Sequence, residues 1–203
     1  MEPREELHLD GVHLRRWRLE DAGPVLGAVT ESLEHLAPWM PWAVPGYGMK
    51  EATDFVGKNV REWDEGTTFN YAILAPDGQV VGSAGLMARI GPGGLEIGYW
   101  LHRDFVGRGI ARLVTRGLVA EAFRAGVERV EIWHDELNER SGAIPRELGF
   151  REVDRVPAAP EHRSAAGSGV LVVWRLTSAE AAGRRAPRGG EPAPSIRPSR
   201  RSS

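Results

Sequence analysis

The chain has no cysteine among its 203 residues, which excludes disulfide bonds, a thiolate nucleophile and most structural zinc sites. It also has no apolar run approaching the ~20 residues that a membrane-spanning helix needs. Its first residues, Met1 to Glu6, lack the apolar core of a signal peptide. These absences predict a cytoplasmic protein that does not contact a membrane. The hydrophobic fraction of 41% is ordinary for one folded domain of this length.

Charge is distributed unevenly along the chain. The net charge is −2, whereas the twenty residues from Arg184 onward contain six arginines and one glutamate. We predict a folded domain over 1–178 and a disordered basic tail over 179–203, because Arg, Pro, Ser, Gly and Ala bury too little surface to offset ordering. Clustered arginines attract the phosphates of nucleic acid or the ribosome. No aromatic residue is interleaved for base stacking, so a solvated extension without function is the simpler interpretation.

Hydrophobic periodicity and turn residues predict an α+β protein. A helix stripe of Ile110, Val114, Leu118 and Ala122 is typical of a buried face. The expected strands cover 7–17, 69–74, 79–88, 95–101, 127–133, 150–156 and 169–176, and the expected helices cover 20–31, 51–65, 108–125 and 139–148.

A glycine-containing turn lies between the predicted strand 95–101 and the helix that follows it. Gly107 and Gly109 allow backbone N–H groups to point at a ligand, and the start of the helix favours an anion. A dinucleotide fingerprint would need glycine where Arg112 stands, and a nucleotide P-loop would need Lys-Ser/Thr directly after Gly109. The spacing therefore favours a pyrophosphate-binding turn of another type, with a plain strand-to-helix turn as the alternative.

This Gly-x-Gly-x-Ala turn resembles the acyl-CoA pyrophosphate loop of the GNAT superfamily of N-acetyltransferases. Residues 135–150 resemble the Asn-x-x-Ser…Leu-Gly-Phe segment of its ribosomal-protein (RimJ/RimL-like) branch, and 34–42 resemble the Pro-Trp-x-Pro-Trp element of that branch. Ile97-Gly98-Tyr99-Trp100 also fits. The matched segments follow the same order across 9–177. Asp104 departs from the Gln or Arg that the family often has three residues before the first glycine.

The resemblance implies a three-layer α/β/α fold with a mixed, mostly antiparallel sheet that is splayed at the acyl-CoA site. The strands 95–101 and 127–133 would separate around the pantetheine arm of acetyl-CoA. Arg108 or Arg112 would reach the ribose phosphate, unless each is simply an exposed helix residue. The implied cofactor-binding residues are Leu101, His102, Arg103, Val106, Gly107, Arg108, Gly109, Ile110, Ala111, Arg112, Asn138 and Ser141.

Acyl transfer to an amine needs a neutral amine, a polarised carbonyl and a proton for the departing thiolate. The resemblance assigns the proton to Ser141, and Glu96 is the candidate base, acting directly or through water. The structural alternatives are that Asn138 caps a helix, Ser141 faces its first turn and Glu96 is a surface carboxylate. His102 and His134 are the histidines near the presumed site. No metal is expected, because His8, His13, His35 and His162 have no metal-ligand spacing.

The expected acceptor pocket is formed by His35, Trp39, Met40 and Trp42 with the helix after Glu51, although the tryptophans could instead anchor a loop.

At pH 7 roughly one α-amine in seven is neutral, against about one lysine in 2,500, so an N-terminal amine needs little help from a base. We therefore expect an acetyl-CoA-dependent N-acetyltransferase, monomeric or homodimeric, that acts on a protein or peptide N-terminus. The alternatives are an antibiotic or polyamine acetyltransferase, a succinyl-CoA-using transferase and a non-catalytic acyl-CoA-binding module.

Overall fold

The computed structural model describes residues 2–185. Eight strands form one sheet: Glu6–Leu9 (β1), Val12–Arg16 (β2), Thr68–Leu74 (β3), Val80–Met87 (β4), Gly94–Leu101 (β5), Arg129–Asp135 (β6), Arg151–Pro157 (β7) and Val170–Thr177 (β8). Their spatial order is β1-β2-β3-β4-β5-β6-β8-β7. Every neighbouring pair is antiparallel except β5 and β6, which are parallel. The predicted mixed, mostly antiparallel sheet is confirmed.

Helices cover both faces of this sheet. They are Ala22–Glu31 (α1), Leu33–Leu36 (α2), Met49–Asp64 (α3), Ile110–Arg124 (α4), Glu139–Glu147 (α5) and Ser178–Arg185 (α6). Val114, Leu118 and Ala122 of α4 are buried in one core cluster with Ile97 and Ile132 of the sheet. Residues of α1 and α3 form a second cluster on the other side, which includes Val25, Val29, Ala52, Val56 and Trp100. The three-layer prediction is therefore confirmed.

The first predicted strand is instead a hairpin. Gly11 has a φ of +76°, and Leu9 pairs with Val12 across a two-residue Asp10-Gly11 turn. Of the two turn residues only Gly11 has a positive φ, a conformation that glycine adopts without steric cost. The expectation of one strand over 7–17 was wrong because the apolar positions shift from odd to even numbers at this turn, which a loose alternation hides.

The parallel strands β5 and β6 pair over only three residues. Their register partners are Gly94 with Arg129, Leu95 with Val130, and Glu96 with Glu131. Beyond Glu96 the two strands continue for several residues without pairing with each other. The sheet consequently opens in its middle, as the predicted splaying requires, and Glu96 lies where the opening starts.

Helical structure extends past residue 178, the expected end of the folded domain. Residues 178–185 form α6, so the first part of the predicted tail is helical. The remainder of that tail, 186–203, lies outside the described residues. Within 2–185, none of the helices has the length and apolar character needed to cross a membrane.

Candidate active site

A cavity of about 480 Å³ lies at the opening between β5 and β6. It brings together residues from the segment 39–42, from β5, from β6 and from the start of α5. His35, which lies on α2, is not among its lining residues. The predicted site residues that do line it are Trp39, Met40, Trp42, Glu96, Asn138 and Ser141.

The glycine turn that follows β5 has the geometry of an anion site. Gly107 and Gly109 have φ values of +78° and +77°. The helix α4 starts at Ile110 without a side-chain cap and without an acidic residue in its first turn. The N–H groups at a helix start and in such a turn form a concave donor surface for phosphate. A Cβ at either glycine would meet nothing within 4 Å, so backbone conformation rather than crowding requires glycine there.

The approach to this turn is fixed by internal hydrogen bonds. The N–H of His102 donates to Val81 O at 2.8 Å, and the N–H of Arg103 donates to Ser32 Oγ at 3.0 Å. The buried His102 ring accepts from the Asp104 N–H through Nδ1 at 3.2 Å, and its Nε2 lies 3.1 Å from a carboxylate oxygen of Glu31. The N–H groups of His102 and Arg103 are therefore not available for pantetheine.

The two arginines expected near the ribose phosphate have different partners. Arg112 Nη1 donates to Glu147 Oε2 at 3.0 Å, which ties α4 to α5. The Arg108 guanidinium lies over the Phe105 ring, 4.8 Å from its centroid, and within the described chain it has no carboxylate partner. Arg108 is thus the arginine whose charge is not already neutralised by an ion pair.

Asn138 and Ser141 occupy the start of α5. Asn138 is the N-cap, since its Oδ1 accepts from the Ser141 N–H at 3.1 Å. The Ser141 hydroxyl oxygen lies 3.3 Å from the Tyr99 hydroxyl of β5. Burial raises the pKa of Tyr99 to about 12, so the phenol stays protonated at neutral pH. The sequence interpretation gave Tyr99 no role, although it lies within the matched segment 97–100.

Glu96 is buried rather than on the surface. Its exposed fraction is 5%, and both of its carboxylate oxygens accept hydrogen bonds from the Arg89 guanidinium, with Nε to Oε2 at 2.7 Å. This side-chain hydrogen bonding raises the pKa of Arg89. Bidentate pairing of this kind is strong and directional. Arg89 was not identified from the sequence because it follows β4 in an irregular turn, where no periodic pattern marks it.

The segment containing the tryptophans forms an aromatic wall. The Trp42 ring lies 5.8 Å from Trp100, 6.5 Å from Phe55 and 6.1 Å from Tyr47, measured between ring centroids. Its exposed fraction is still 37%. Trp42 therefore anchors its loop through ring contacts and also presents a face to the cavity.

A second loop contributes to the cavity and is bonded to the tryptophan segment. The Ala166 N–H donates to Pro38 O at 2.9 Å, which joins the 158–169 loop to the tryptophan segment. Glu161, His162 and Ser164 of this loop line the cavity. Nothing in the local pattern of this Pro-, Ala- and Ser-rich loop indicates what it packs against, so its place in the cavity could not be predicted from the sequence.

The histidine on β6 is held in a neutral form. His134 Nε2 accepts from Trp174 Nε1 at 2.9 Å, and its Nδ1 lies 2.7 Å from Asp135 O. A carbonyl oxygen can only accept, so the proton is on Nδ1. Burial lowers the pKa of His134, and likewise that of His35. The full use of both ring nitrogens makes His134 a structural residue, not a proton carrier.

The splayed sheet, the glycine turn at the uncapped start of α4 and the cavity at the sheet opening together have the architecture of an acyl-CoA-type N-acetyltransferase. The family model described as acetyltransferase (GNAT) domain matches residues 12–151, which is more than half of the chain. The chain therefore belongs to the GNAT acetyltransferase family.

Similar proteins include ribosomal-protein acetyltransferases. The chain is 41% identical over 58 residues to YdaF of Bacillus subtilis (strain 168), a candidate ribosomal N-acetyltransferase, and the match spans 28% of this chain and 32% of that relative. The structure of RimL, a ribosomal-protein α-N-acetyltransferase in complex with coenzyme A, superimposes with a TM-score of 0.77 at 20% identity, covering 85% of this chain and 98% of RimL. RimJ of Mycobacterium smegmatis, in complex with CoA-disulfide, gives 0.74 at 23% identity, covering 91% and 98%.

Proposed function

We propose that the protein transfers an acetyl group from acetyl-CoA to the α-amino group of a protein or peptide. The observation that carries this proposal is the cavity at the sheet opening, which is lined by Ser141, by the ion pair of Glu96 and Arg89, and by the tryptophan segment. The ribosomal-protein acetyltransferases among the similar proteins support a protein acceptor.

The donor side is suited to a pyrophosphate-bearing cosubstrate. Acetyl-CoA supplies the activated acetyl thioester when it is bound. The N–H groups from Gly107 to Arg112 would hold its pyrophosphate, since those of His102 and Arg103 are used within the protein. Arg108 would add the charge for the ribose phosphate, because Arg112 is paired with Glu147. The unpaired halves of β5 and β6 offer backbone groups to the pantetheine arm.

Ser141 is the proposed proton donor at the sulfur of the leaving group. Tyr99 Oη lies 3.4 Å from the Ser141 carbonyl oxygen as well as 3.3 Å from Ser141 Oγ. Because the carbonyl can only accept, the phenol hydrogen points toward Ser141. The contact between the two hydroxyls fits either atom as donor; with Tyr99 as the donor, Ser141 would keep its own hydrogen for the sulfur and Tyr99 would be a positioning residue.

Glu96 would assist the amine directly or through a water. Both of its oxygens accept hydrogen bonds from the Arg89 guanidinium, which holds the carboxylate in place. An α-amine is neutral often enough at pH 7 to react with such modest assistance, whereas a lysine amine is not. The Glu96 carboxylate would orient the incoming amine or a water bound to it. This difference is what favours an N-terminal acceptor.

A small amine is the second candidate acceptor. The cavity volume of about 480 Å³ lies within the ordinary range for small-molecule sites, and the bond between Ala166 and Pro38 closes one side. A peptide would insert only its extended N-terminal end into the cavity, whereas a small amine would be enclosed by the cavity. Both candidates use the same donor side and the same Ser141.

The test is acetyl-CoA turnover with matched acceptors. One peptide is offered in three forms: unblocked, with its N-terminus blocked and one lysine free, and with the lysine blocked and its N-terminus free. A panel of small amines is run in parallel. Turnover of the forms with a free N-terminus supports the proposal. Turnover only of small amines replaces it with the second candidate, and CoA binding without any turnover indicates a binding module.

A further inference from the structure

The β1–β2 hairpin brings together three potential metal ligands that are spread along the sequence. His8 and His13 are register partners, and Glu6 lies two residues before His8 on the same face of β1. Leu7, Val12 and Leu14 point to the opposite face and belong to the core. Glu6, His8 and His13 are therefore held on one side of the hairpin by the burial of its other side.

The distances among these groups fit a common ion. Glu6 Oε2 lies 3.4 Å from His13 Nε2 and 3.9 Å from His8 Nε2. Metal bonds of 2.0–2.1 Å in a tetrahedral arrangement separate two ligand atoms by about 3.3–3.4 Å. The carboxylate and His13 are thus already at ligand spacing, and His8 is about half an ångström from it.

His13 carries an unused polar atom. Its Nε2 is buried yet makes no hydrogen bond to any of residues 2–185. Buried polar groups in proteins nearly always have a hydrogen-bond partner, whereas this nitrogen has only Glu6 Oε2 at ion-pair distance, 3.4 Å away. The two imidazole rings are also stacked, with centroids 4.3 Å apart and planes inclined by 8°.

We propose that Glu6, His8 and His13 form a site for a divalent first-row transition ion, with Zn²⁺ as the natural probe. Two imidazoles and one carboxylate suit zinc and its neighbours, whereas Mg²⁺ and Ca²⁺ prefer oxygen ligands throughout. Water would complete the coordination. The stacked arrangement requires one ring to turn its nitrogen toward the ion, and the His8 side chain, 77% exposed, has the freedom to do so.

The charges around the cluster permit a cation. Arg15, on the same face of the hairpin, is neutralised by two hydrogen bonds to Asp21 at 2.7 Å. Arg18 Nη2 lies 3.7 Å from Glu6 Oε1, the carboxylate oxygen that does not face the histidines, and would hold the carboxylate in its orientation. Outer partners of this kind fix the direction of a ligand and raise its affinity.

The site lies apart from the acetyl-transfer cavity. β1 is an edge strand, and β3 and β4 stand between the hairpin and β5. An ion bound here would join the two strands of the hairpin and would stabilise the folded chain by binding it in preference to the unfolded one. The ion would take no part in acyl transfer, so a test of this metal site does not depend on the proposed function.

The experiment is a Zn²⁺ titration of the full-length, metal-stripped protein. Isothermal titration calorimetry measures the affinity, and nitrogen-15 NMR of the imidazole rings identifies which histidines respond. We expect one site of micromolar affinity, with shifts confined to His8 and His13. Replacing His8 or His13 by Ala should weaken binding by about tenfold or more, since loss of even an outer-shell partner costs about 10- to 100-fold.

The matched control is His162→Ala, which removes an exposed histidine from another part of the surface. Its zinc affinity should equal that of the unmodified protein. Because His8 is largely exposed, His8→Ala should fold normally, and circular dichroism without metal checks this. Absence of micromolar zinc binding, or unchanged binding in the His8→Ala and His13→Ala double variant, would overturn the proposal.

Discussion

The hydroxyl oxygens of Tyr99 and Ser141 lie 3.3 Å apart and connect β5 to the first turn of α5 across the opening in the sheet. Tyr99 lies beyond Glu96, where β5 no longer pairs with β6. The contact therefore joins β5 to α5 in a region where the backbone of β5 is not bonded to β6. Its position next to the cavity makes the pair the first target for mutation.

Ser141→Ala should lower kcat by about 100-fold, in the range typical of a lost general acid, and should leave CoA affinity near normal. The N–H of Ser141 that bonds Asn138 is retained in this variant, so the helix cap survives. Steady-state kinetics and calorimetry with CoA measure the two effects separately. Unchanged turnover would remove the acid role from Ser141.

Tyr99→Phe should lower kcat by about tenfold, less than the loss in Ser141→Ala, because it removes only the partner that orients the serine. In a Ser141→Ala background the additional effect of Tyr99→Phe should nearly vanish. A double-mutant cycle on kcat measures this coupling. Additive losses in the cycle would mean that Tyr99 acts on its own.

Gly109→Ala should weaken CoA binding because a Cβ disfavours the φ of +77° that shapes the donor turn. Gly126 provides a matched control: it follows α4, has a φ of +92° and has equally open space around a Cβ. Gly126→Ala should cost similar folding stability, about 1–2 kcal/mol, and keep CoA affinity. Equal CoA affinities in the two variants would contradict the assignment of the turn.

Glu96→Gln should lower kcat/KM for an unblocked peptide by about tenfold at pH 7. The defect should shrink as pH rises toward 9, because the α-amine then becomes neutral in solution. A pH series of kcat/KM for both proteins tests this. A defect that stays constant across the series would show that Glu96 does not assist deprotonation of the amine.

Glu121 should make the fold sensitive to acid. Burial alone would raise the pKa of Glu121, but hydrogen bonds from Arg124 and Arg4 outweigh it and lower the pKa to about 2. The stabilisation is therefore complete above the unfolded value near 4.5 and is lost as pH falls toward 2. Because the Arg4 side chain is 62% exposed, solvent screens part of this effect, and about 2 kcal/mol remains.

Glu121→Gln should accordingly destabilise the protein at pH 7 and flatten the pH dependence of its stability between pH 5 and 2. Urea unfolding at several pH values measures both quantities. Glu65→Gln, at an exposed position after α3, is the control and should behave like the unmodified chain. An acid profile of Glu121→Gln that matches the control would contradict the prediction.

The sequence predicted most elements because their signals are local. The stripe of Val114, Leu118 and Ala122 has helical spacing and is fully buried, and the glycines at 107 and 109 adopt the left-handed conformation that their residue type suggested. The hairpin at Asp10-Gly11 was missed although its signal is equally local. That one error also hid the meeting of His8 with His13, since a single strand would have kept them far apart.

The candidate site was predicted only in part. Ser141, Glu96 and the tryptophans stand in segments with a recognisable pattern, and they do line one cavity. Arg89 and the 158–169 loop reach it through turns whose direction depends on tertiary packing. A side chain such as Arg89, which pairs with a residue on the next strand, has no periodicity from which its partner can be inferred.

The bond between Ala166 and Pro38 joins two loops that lie outside β5, β6 and the glycine turn. With the proposed function, acceptor selectivity and donor binding would depend on separate stretches of chain. Exchanging the 158–169 loop could redirect the protein to another amine while its coenzyme site stays intact, so members of one lineage can diversify their acceptors without rebuilding the part that handles the donor.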